Sequence, residues 1–198
     1  MSKIAILGGT FNPFHIGHYE MLSALEDIKE IDKIIILPDK IPPHKKCDFL
    51  ADDDTRIKMC SLVAEDFEKA VVSTLEFERE GKSYTYDTVK VLKQKYPSDE
   101  FFFTIGGDML VTFDKWYKYE ELIKEISFIT FRRSDTDNTE FDKCIEKFRK
   151  MGMKVTVMQQ EISAVSSTEI RNDFYKAKSL LPLKIYEFLT QKGIYNDR

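Results

Sequence analysis

Two histidines near the amino terminus, His15 and His18, are the residues of this chain best placed to do chemistry. They follow a glycine pair, Gly8-Gly9, which lets the backbone turn sharply and approach a ligand closely. Histidines three residues apart lie on one face of a helix, and the start of a helix favours an anion through its free N–H groups and its dipole. The pattern therefore predicts a phosphate site in which two imidazoles stabilise negative charge.

The elements that must position these histidines lie directly around them. An apolar run at residues 3–7 precedes the glycines and is typical of a buried parallel strand. Asn12 can cap the next helix, and Pro13 suits its first turn because a proline has no N–H to leave unpaired there. We therefore predict a strand, a glycine turn and a helix over residues 17–25, with the histidines where that helix begins.

Strand-like runs alternate with helical patterns along the rest of the chain. Apolar or aromatic runs predict strands at residues 33–37, 71–77, 101–105, 126–131 and 155–157. Helical patterns lie between them, near residues 57–63 (capped by Asp54 or Thr55), 87–96 and 141–151, and over most of 168–192. The alternation predicts an α/β fold with a parallel sheet covered on both faces, in which ligands bind beyond the carboxyl ends of the strands. We expect one domain, 1–198, with 166–198 as a C-terminal helical subregion.

Composition argues against several classes of protein. The 198 residues carry 30 Lys and Arg against 34 Asp and Glu, so the net charge of -4 gives no general reason to bind nucleic acid or an anionic membrane. The cysteines, Cys47, Cys60 and Cys144, are far apart and form no C-x-x-C, which argues against a disulfide framework or a structural zinc site. No apolar run approaches 18 residues. We expect a cytoplasmic protein whose phosphate affinity comes from a local site.

A second segment, residues 166–171, has the pattern of a phosphate-binding helix start. Ser166 and Glu169 have the spacing of a capping box. The hydroxyls of Ser167 and Thr168 can then face phosphate oxygens, and Arg171 adds a positive fork about one turn later. Taken alone, the segment favours an ordinary capped helix that carries a surface arginine, because the S-x-x-E spacing is common.

Three further features suit a nucleotide site. Two prolines stiffen the loop Pro42-Pro43-His44-Lys45, which by itself could be a solvated turn. Gly106-Gly107 at a strand end would let a sugar or base approach the backbone, where Asp108 can accept ribose hydroxyls or merely cap a turn. Trp116, the only tryptophan, offers a flat face for a heterocycle, although most tryptophans are core residues.

The string GGTFNPFHIGH at residues 8–18 resembles the HxGH signature of the nucleotidylyltransferase superfamily, and in its full form that of the bacterial nicotinate-nucleotide adenylyltransferases. Residues 165–171 are similar to a second signature, ISSTxIR, with Val165 in place of Ile. The resemblance covers residues 3–195 but departs between Arg171 and Leu183, where the chain is shorter and Ala177 stands where Gly is common. It implies a Rossmann-like, doubly wound parallel sheet with a C-terminal helical segment.

The resemblance implies transfer of the adenylyl group of ATP to nicotinate mononucleotide, with release of pyrophosphate, in NAD biosynthesis. It implies catalytic roles for His18, His15 and Arg171. The residues then expected to bind ATP are Gly8, Gly9, Thr10, Phe11, His15, His18, Gly106, Asp108, Ser167, Thr168 and Arg171. The residues expected to bind the mononucleotide are His44, Lys45, Arg56 (in a D-x-x-R-x-x-M context), Thr85, Trp116 and Tyr117.

The chemistry of such a reaction sets the expected cofactor and partners. A phosphate monoester has a second pKa near ~6, so the attacking oxygen is already ionised at pH 7 and no general base is required. Mg²⁺ would travel with ATP, since the sequence has no dense carboxylate cage and we expect no metal site of the protein's own. The expected partners are small-molecule substrates, without nucleic acid or membrane, and a homo-oligomer is compatible with the sequence.

Three alternatives stay open. The first is a related adenylyl- or cytidylyltransferase acting on phosphopantetheine or glycerol phosphate, although those chains are usually shorter and the PPHK loop with Trp116-Tyr117 points away from them. The second is the same reaction on nicotinamide mononucleotide. The third is a non-catalytic nucleotide-binding regulator, against which both histidines and Arg171 argue. A dehydrogenase would need a GxGxxG turn, which is absent.

Overall fold

The computed structural model describes residues 1–42, 49–134 and 138–195. Within these ranges the strands are β1 (Lys3–Gly9), β2 (Lys33–Pro38), β3 (Ala70–Val72), β4 (Glu100–Gly106), β5 (Ser127–Phe131) and β6 (Val155–Val157). They form one parallel sheet in the order β3-β2-β1-β4-β5-β6.

The sheet is wound in both directions from β1. The chain moves outward to β2 and β3, then crosses back to β4, β5 and β6 on the other side of β1. In register, Leu7 of β1 lies between Ile36 of β2 and Thr104 of β4. This confirms the predicted Rossmann-like α/β fold, in which the crevice at the reversal point, between β1 and β4, is where ligands bind.

Helices connect the strands and cover the sheet. In the described ranges the α-helices are α1 (Ile16–Glu26), α2 (Asp53–Ala64), α3 (Thr85–Lys95), α4 (Gly107–Val111), α5 (Tyr119–Glu125), α6 (Asn138–Lys150), α7 (Ser167–Asn172) and α8 (Leu183–Lys192). Short 3₁₀ turns lie at Leu75–Glu78, Phe113–Lys115 and Lys176–Leu180. Among these helices none is both long and apolar enough to cross a membrane.

Two apolar clusters form because successive side chains of a strand point to opposite faces of the sheet. Leu7 packs in a cluster with Leu22 of α1 and Ile185 of α8. Its neighbour Ile6 packs in the other cluster, with Phe148 of α6. Because β1 is buried on both faces, it reads as a continuous apolar run, as the sequence predicted.

The strand predicted at residues 71–77 is shorter than expected. It ends at Val72, and the chain continues as a 3₁₀ turn that carries Glu76. Glu76 is buried, accepts a hydrogen bond from Thr88 of α3, and pairs with Arg79 at 2.6 Å. A buried carboxylate needs such partners, so the chain turns toward α3 instead of extending the sheet.

Helix ends also differ from the prediction in two places. The N-cap of α2 is Asp52, whose carboxylate accepts from the backbone N–H of Thr55 at 2.7 Å, and not Asp54 or Thr55 itself. The helical stretch predicted over 168–192 is divided, because α7 ends at Asn172 and α8 begins only after Pro182. Pro182 takes the N-cap position of α8, which is compatible with its missing N–H.

Candidate active site

A cavity of about 480 Å³ opens at the carboxyl ends of the central strands. The end of β1 lines it with Gly8 and Gly9, the end of β4 with Gly106, and the segment after β2 with Asp39. All of the residues that the sequence pointed to for ATP lie on its wall. The crevice of the doubly wound sheet is therefore where the two signature segments meet.

The histidine pair lies on this wall at the start of α1. His15 is the N-cap residue and His18 is three residues into the helix, with their imidazole rings stacked 3.6 Å apart between centroids. The backbone N–H of His15 donates to Nδ1 of His18 at 3.3 Å. Because Nδ1 accepts a hydrogen bond, the neutral imidazole of His18 carries its proton on Nε2. His18 is thus oriented as a hydrogen-bond donor through Nε2.

Aromatic side chains fix the orientation of His18. The rings of Phe11 and Phe14 lie 5.0 and 5.2 Å from the His18 ring, and both phenylalanines are buried. Phe11 has a φ of 49°, in the left-handed region that a bulky side chain rarely adopts. A Cβ on Gly9 would lie 3.0 Å from the Phe11 ring, which is too close. The second glycine of the pair therefore leaves room for Phe11 to pack against His18.

The prediction that Asn12 caps α1 and that Pro13 lies in its first turn is wrong, since the helix begins at Ile16. Asn12 is 1% exposed, and its side chain joins distant segments instead. Its Oδ1 accepts from the backbone N–H of Ala51 at 3.1 Å and from the hydroxyl of Tyr195 at 2.6 Å. Its Nδ2 donates to the carbonyl of Phe49 at 2.8 Å, so no capping atom remains for α1.

The second signature docks directly onto the first. Ser166 is the N-cap of α7 and accepts from the N–H of Glu169 at 3.1 Å, as the capping spacing predicted. Arg171 donates through Nη1 to the carbonyl of Asn12 at 2.7 Å and through Nη2 to Thr168 Oγ1 at 3.1 Å. Ser167 Oγ donates to the carbonyl of Pro13 at 3.1 Å. These bonds hold a guanidinium and two hydroxyls beside the histidine pair.

Further polar residues on the wall were missed by sequence reasoning. Arg133 follows β5 and pairs through Nη1 with Asp108 Oδ2 at 3.1 Å, which joins the carboxyl ends of β4 and β5. Ser163 donates its N–H and its hydroxyl to the carboxylate of Glu20, at 2.6 and 2.7 Å. The pair Arg132-Arg133 directly after a buried strand is the signal that could have indicated a cationic wall residue.

The other end of the cavity is aromatic. Trp116 lines it and packs against Phe113 and Phe103, with ring centroids 5.3 and 6.0 Å away. Thr85, the first residue of α3, lies on the same wall, where the first N–H groups of a helix have no acceptor within the helix. Tyr117 is 43% exposed, its ring lies tilted against that of Tyr84 with the centroids 4.6 Å apart, and it does not line the cavity.

Three of the residues expected to bind the mononucleotide need separate comment. His44 and Lys45 lie outside the described residues. Arg56 lies behind the wall: its side chain is fully buried, and protein acceptors surround its guanidinium. The guanidinium of Arg56 contacts protein groups, and these contacts indicate a role other than direct contact with a substrate.

Neither described cysteine is suited to nucleophilic chemistry. Cys60 is buried in the core, and burial raises the pKa of its thiol far above the ordinary value. Burial also raises the pKa of Cys144, with a further contribution from the nearby Glu140 carboxylate. The reactive thiolate is disfavoured at both positions. No cluster of three His, Cys, Asp or Glu side chains able to hold a metal occurs among the described residues.

Comparison with known proteins agrees with this geometry. The family model described as cytidylyltransferase-like matches residues 6–173. The nicotinate-nucleotide adenylyltransferase of Bacillus subtilis is 36% identical over 204 residues and covers 100% of both chains. The probable nicotinate-nucleotide adenylyltransferase of Fusobacterium nucleatum is 43% identical over 171 residues, or 86% of each chain.

A solved structure has the same fold. Plasmodium falciparum nicotinic acid mononucleotide adenylyltransferase complexed with NaAD aligns with a TM-score of 0.83 over 100% of this chain and 99% of its own, at 22% identity. At that identity the match concerns the fold alone. The family model and the curated relatives go further, and they confirm the resemblance found in the sequence: the chain belongs to the nicotinate-nucleotide adenylyltransferase family of nucleotidyltransferase enzymes.

Proposed function

We propose that this protein transfers the adenylyl group of ATP to nicotinate mononucleotide, giving nicotinate adenine dinucleotide and pyrophosphate. The observation that carries the proposal is the stacked pair of His15 and His18 at the start of α1, with Arg171 of α7 bonded to the same segment. Two imidazoles and a guanidinium on one cavity wall suit a reaction in which phosphate charge is redistributed. The names of the relatives agree with this substrate pair.

The reaction requires one bond to form and one to break. An ionised phosphate oxygen of the acceptor attacks the α-phosphorus of ATP. The bond from that phosphorus to the oxygen bridging to the β-phosphate breaks, and its electron pair leaves on pyrophosphate. His18, with its proton on Nε2, would donate to a non-bridging oxygen of the α-phosphate as charge develops there, and His15 holds the His18 ring in place.

The departing pyrophosphate needs cationic and hydrogen-bonding partners. Arg171, Ser167 and Thr168 at the start of α7 would hold the β- and γ-phosphates, with a planar fork suited to phosphate oxygens. Gly8–Phe11 would pass beneath the phosphates, and Gly106 and Asp108 would contact the adenosine part. Mg²⁺ would arrive with ATP and keep substrate oxygens and water as its ligands.

The aromatic end of the cavity would take the acceptor. Trp116 would stack on the pyridine ring, and the backbone N–H groups of Thr85 and Tyr117 would receive the nicotinate carboxylate. The exposure of the Tyr117 ring does not bear on this role, which its backbone would perform. N–H donors favour a carboxylate over a neutral amide, so nicotinate would be preferred to nicotinamide. His44 and Lys45 remain candidates for the acceptor phosphate.

The proposed partners are small molecules, and the proposed location is the cytoplasm. Cys60 and Cys144 are both free, which fits a reducing compartment. The substrates themselves are nucleotides that the described cavity could enclose.

A substrate panel tests the proposal. The purified chain would be mixed with ATP, Mg²⁺ and one acceptor at a time: nicotinate mononucleotide, nicotinamide mononucleotide, phosphopantetheine or none. Pyrophosphate release would be measured for each. We expect rapid release with nicotinate mononucleotide and slower release with the amide. Release with phosphopantetheine alone would reassign the acceptor, and no release with any acceptor would indicate a non-catalytic nucleotide-binding protein.

A further inference from the structure

Arg56 is an arginine with no exposed surface, and it is the largest fully buried side chain among the described residues. Burial of a charged group is costly unless that group is paired and hydrogen-bonded. Arg56 meets this requirement completely, since each of its five N–H donors has a protein acceptor. Its guanidinium therefore has no donor left for a substrate.

The acceptors of Arg56 come from separate parts of the chain. Nη1 donates to the carbonyl of Thr10, which follows β1, at 3.2 Å, and to the carbonyl of Asp39, which follows β2. Nη2 donates to the carboxylate of Asp53 in α2 at 2.6 Å and to the carbonyl of Lys40 at 3.4 Å. Nε donates to the carbonyl of Ala51 at 3.1 Å. One side chain thus joins the ends of two central strands to the start of α2.

Two of these partners are cavity-wall residues. Thr10 and Asp39 both line the cavity, and Thr10 Oγ1 donates to Asp39 Oδ2 at 3.0 Å. The other carboxylate oxygen of Asp39 lies 3.5 Å from Nη1 of Arg56, and the Asp39 side chain is 17% exposed. Asp39 thus places a negative charge on the wall of a cavity proposed to bind two anionic substrates, and Arg56 places a positive charge directly behind it.

We propose that Arg56 is a positioning residue for the acceptor end of the cavity: it holds Thr10 and Asp39 in place and neutralises the Asp39 carboxylate, so that an anionic mononucleotide can bind beside it. The inference rests on the proposed function, because it specifies how this chain tolerates a carboxylate near a phosphate. Without the guanidinium, less of the negative charge of Asp39 would be balanced, and its repulsion of an incoming phosphate would increase. The effect is expected on the affinity for the acceptor more than on turnover.

A double-mutant cycle at Arg56 and Asp39 tests this idea. Arg56→Met keeps an unbranched, apolar stem but removes the charge and the donors of the guanidinium. We expect its KM for nicotinate mononucleotide to rise at least ~10-fold, the scale of losing hydrogen bonds to a charged group, while the Kd for ATP, whose phosphates would lie near Thr10, rises by a smaller factor and kcat changes by less than about threefold. Adding Asp39→Asn removes the carboxylate charge that Arg56 faces in the wild type, and the KM should return to within about threefold of the wild type, since the two residues are in contact and couple.

Matched variants separate the charge from the hydrogen bonds. Asp39→Asn alone completes the cycle, and its KM should rise less than that of Arg56→Met, because it leaves no uncompensated negative charge on the wall. Arg56→Lys keeps a charge near Asp39 but offers its donors from a single nitrogen, so its KM should rise less than that of Arg56→Met. Arg149→Met is the control, since Arg149 is exposed and, among the described residues, its guanidinium donates only to the carbonyl of Val155, at 3.1 Å.

Hydrogen exchange provides a readout that needs no substrate. In Arg56→Lys, the amides of residues 39–42 and 51–53 should exchange faster than in the wild type, while those of α1 and β4 keep their wild-type rates. A uniform rise in exchange, or a failure of Asp39→Asn to restore the KM of Arg56→Met, would show a general packing role and overturn the proposal. If Arg56→Met does not fold, the exchange pattern of Arg56→Lys decides.

The two proposals fail in different ways. If the wild-type chain releases no pyrophosphate with nicotinate mononucleotide, the proposed function fails. The exchange comparison then still decides whether Arg56 holds the wall. If the wild type is active but the cycle with Asp39→Asn shows no coupling, the proposed function stands and the role of Arg56 in neutralising Asp39 fails.

Discussion

The two ends of the cavity are built in different ways. At the end near α7, residues of two short signatures bond directly to each other, as Arg171 does to the carbonyl of Asn12 and Ser167 to that of Pro13. Elsewhere on the wall, Trp116 and Asp39 come from unrelated parts of the chain, and the buried Arg56 holds the Asp39 segment from behind the wall. The proposed phosphate site is assembled from compact motifs, whereas the proposed acceptor site depends on the packing of several segments.

The largest expected effect lies between the two ends, at His18. His18→Ala removes the donor proposed for the α-phosphate, and we expect kcat to fall by at least ~100-fold, the scale of losing one charge-stabilising group. Tyr19→Phe is the control. Tyr19 lies on the same helix as His18, and the change removes only a hydroxyl that donates to Asp66 Oδ2 at 3.3 Å. Steady-state rates of pyrophosphate release measure both. A near-normal kcat for His18→Ala would refute its role.

The next largest effect is expected at the end of the cavity near α7, and it tests whether this end binds ATP and not the acceptor. Arg171→Lys keeps the charge but cannot bond both Asn12 and phosphate oxygens in a planar fork. We expect kcat/KM for ATP to fall about tenfold to a hundredfold, as for a lost hydrogen bond to a charged group, with the KM for the acceptor unchanged. Arg149→Lys should have neither effect. An equal loss for both substrates would mean that the two ends do not act separately.

A smaller effect is expected at the aromatic end. Trp116→Ala should raise the KM for the mononucleotide by about tenfold, on the scale of one lost ring-stacking contact, and leave the Kd for ATP unchanged. Trp116→Phe retains an aromatic face and should lie between the wild type and the alanine variant. Calorimetric titration with ATP and rate measurements with varied acceptor distinguish the two substrates. A weakened affinity for ATP would contradict the assignment of Trp116 to the mononucleotide.

The smallest effect concerns the helix that carries Arg56. The hydrogen bond from the backbone N–H of Thr55 is the main cause that lowers the pKa of Asp52 below its ordinary value of 3.8, although burial opposes it. A lowered pKa means that this contribution to stability is present above the unfolded-state value and is lost as the pH falls through the folded-state value. Asp52→Ala should therefore reduce the free energy of unfolding by about 1 kcal/mol at pH 7.

The pH dependence of the unfolding free energy checks whether the ionised carboxylate of Asp52 is what stabilises α2. The difference in unfolding free energy between wild type and Asp52→Ala should shrink as the pH is lowered below 3.8, because the wild-type carboxylate becomes protonated. Urea unfolding at several pH values measures this difference. A gap of constant size down to pH 2 would mean that the ionised cap is not what stabilises α2.

The parts of the fold and of the candidate site that could be predicted from the sequence are those formed by local patterns. The apolar run before Gly8 and the capping spacing of Ser166 are local patterns, so the strand β1 and the start of α7 could be predicted from them. The roles of Asn12 and Arg56 could not be predicted in this way. Their partners lie up to 183 positions away along the chain, and a polar residue near a motif looks the same whether it faces substrate or protein.

The hydrogen bond between the hydroxyl of Tyr195 and Oδ1 of Asn12 has a consequence for the way the protein is made. A ribosome delivers the polypeptide from its amino end, so the signature that holds the histidines emerges early. Asn12 meets its last partner only once Tyr195 has left the exit tunnel. Nascent chains stalled before that residue should therefore lack one of the hydrogen bonds that hold the Asn12 side chain.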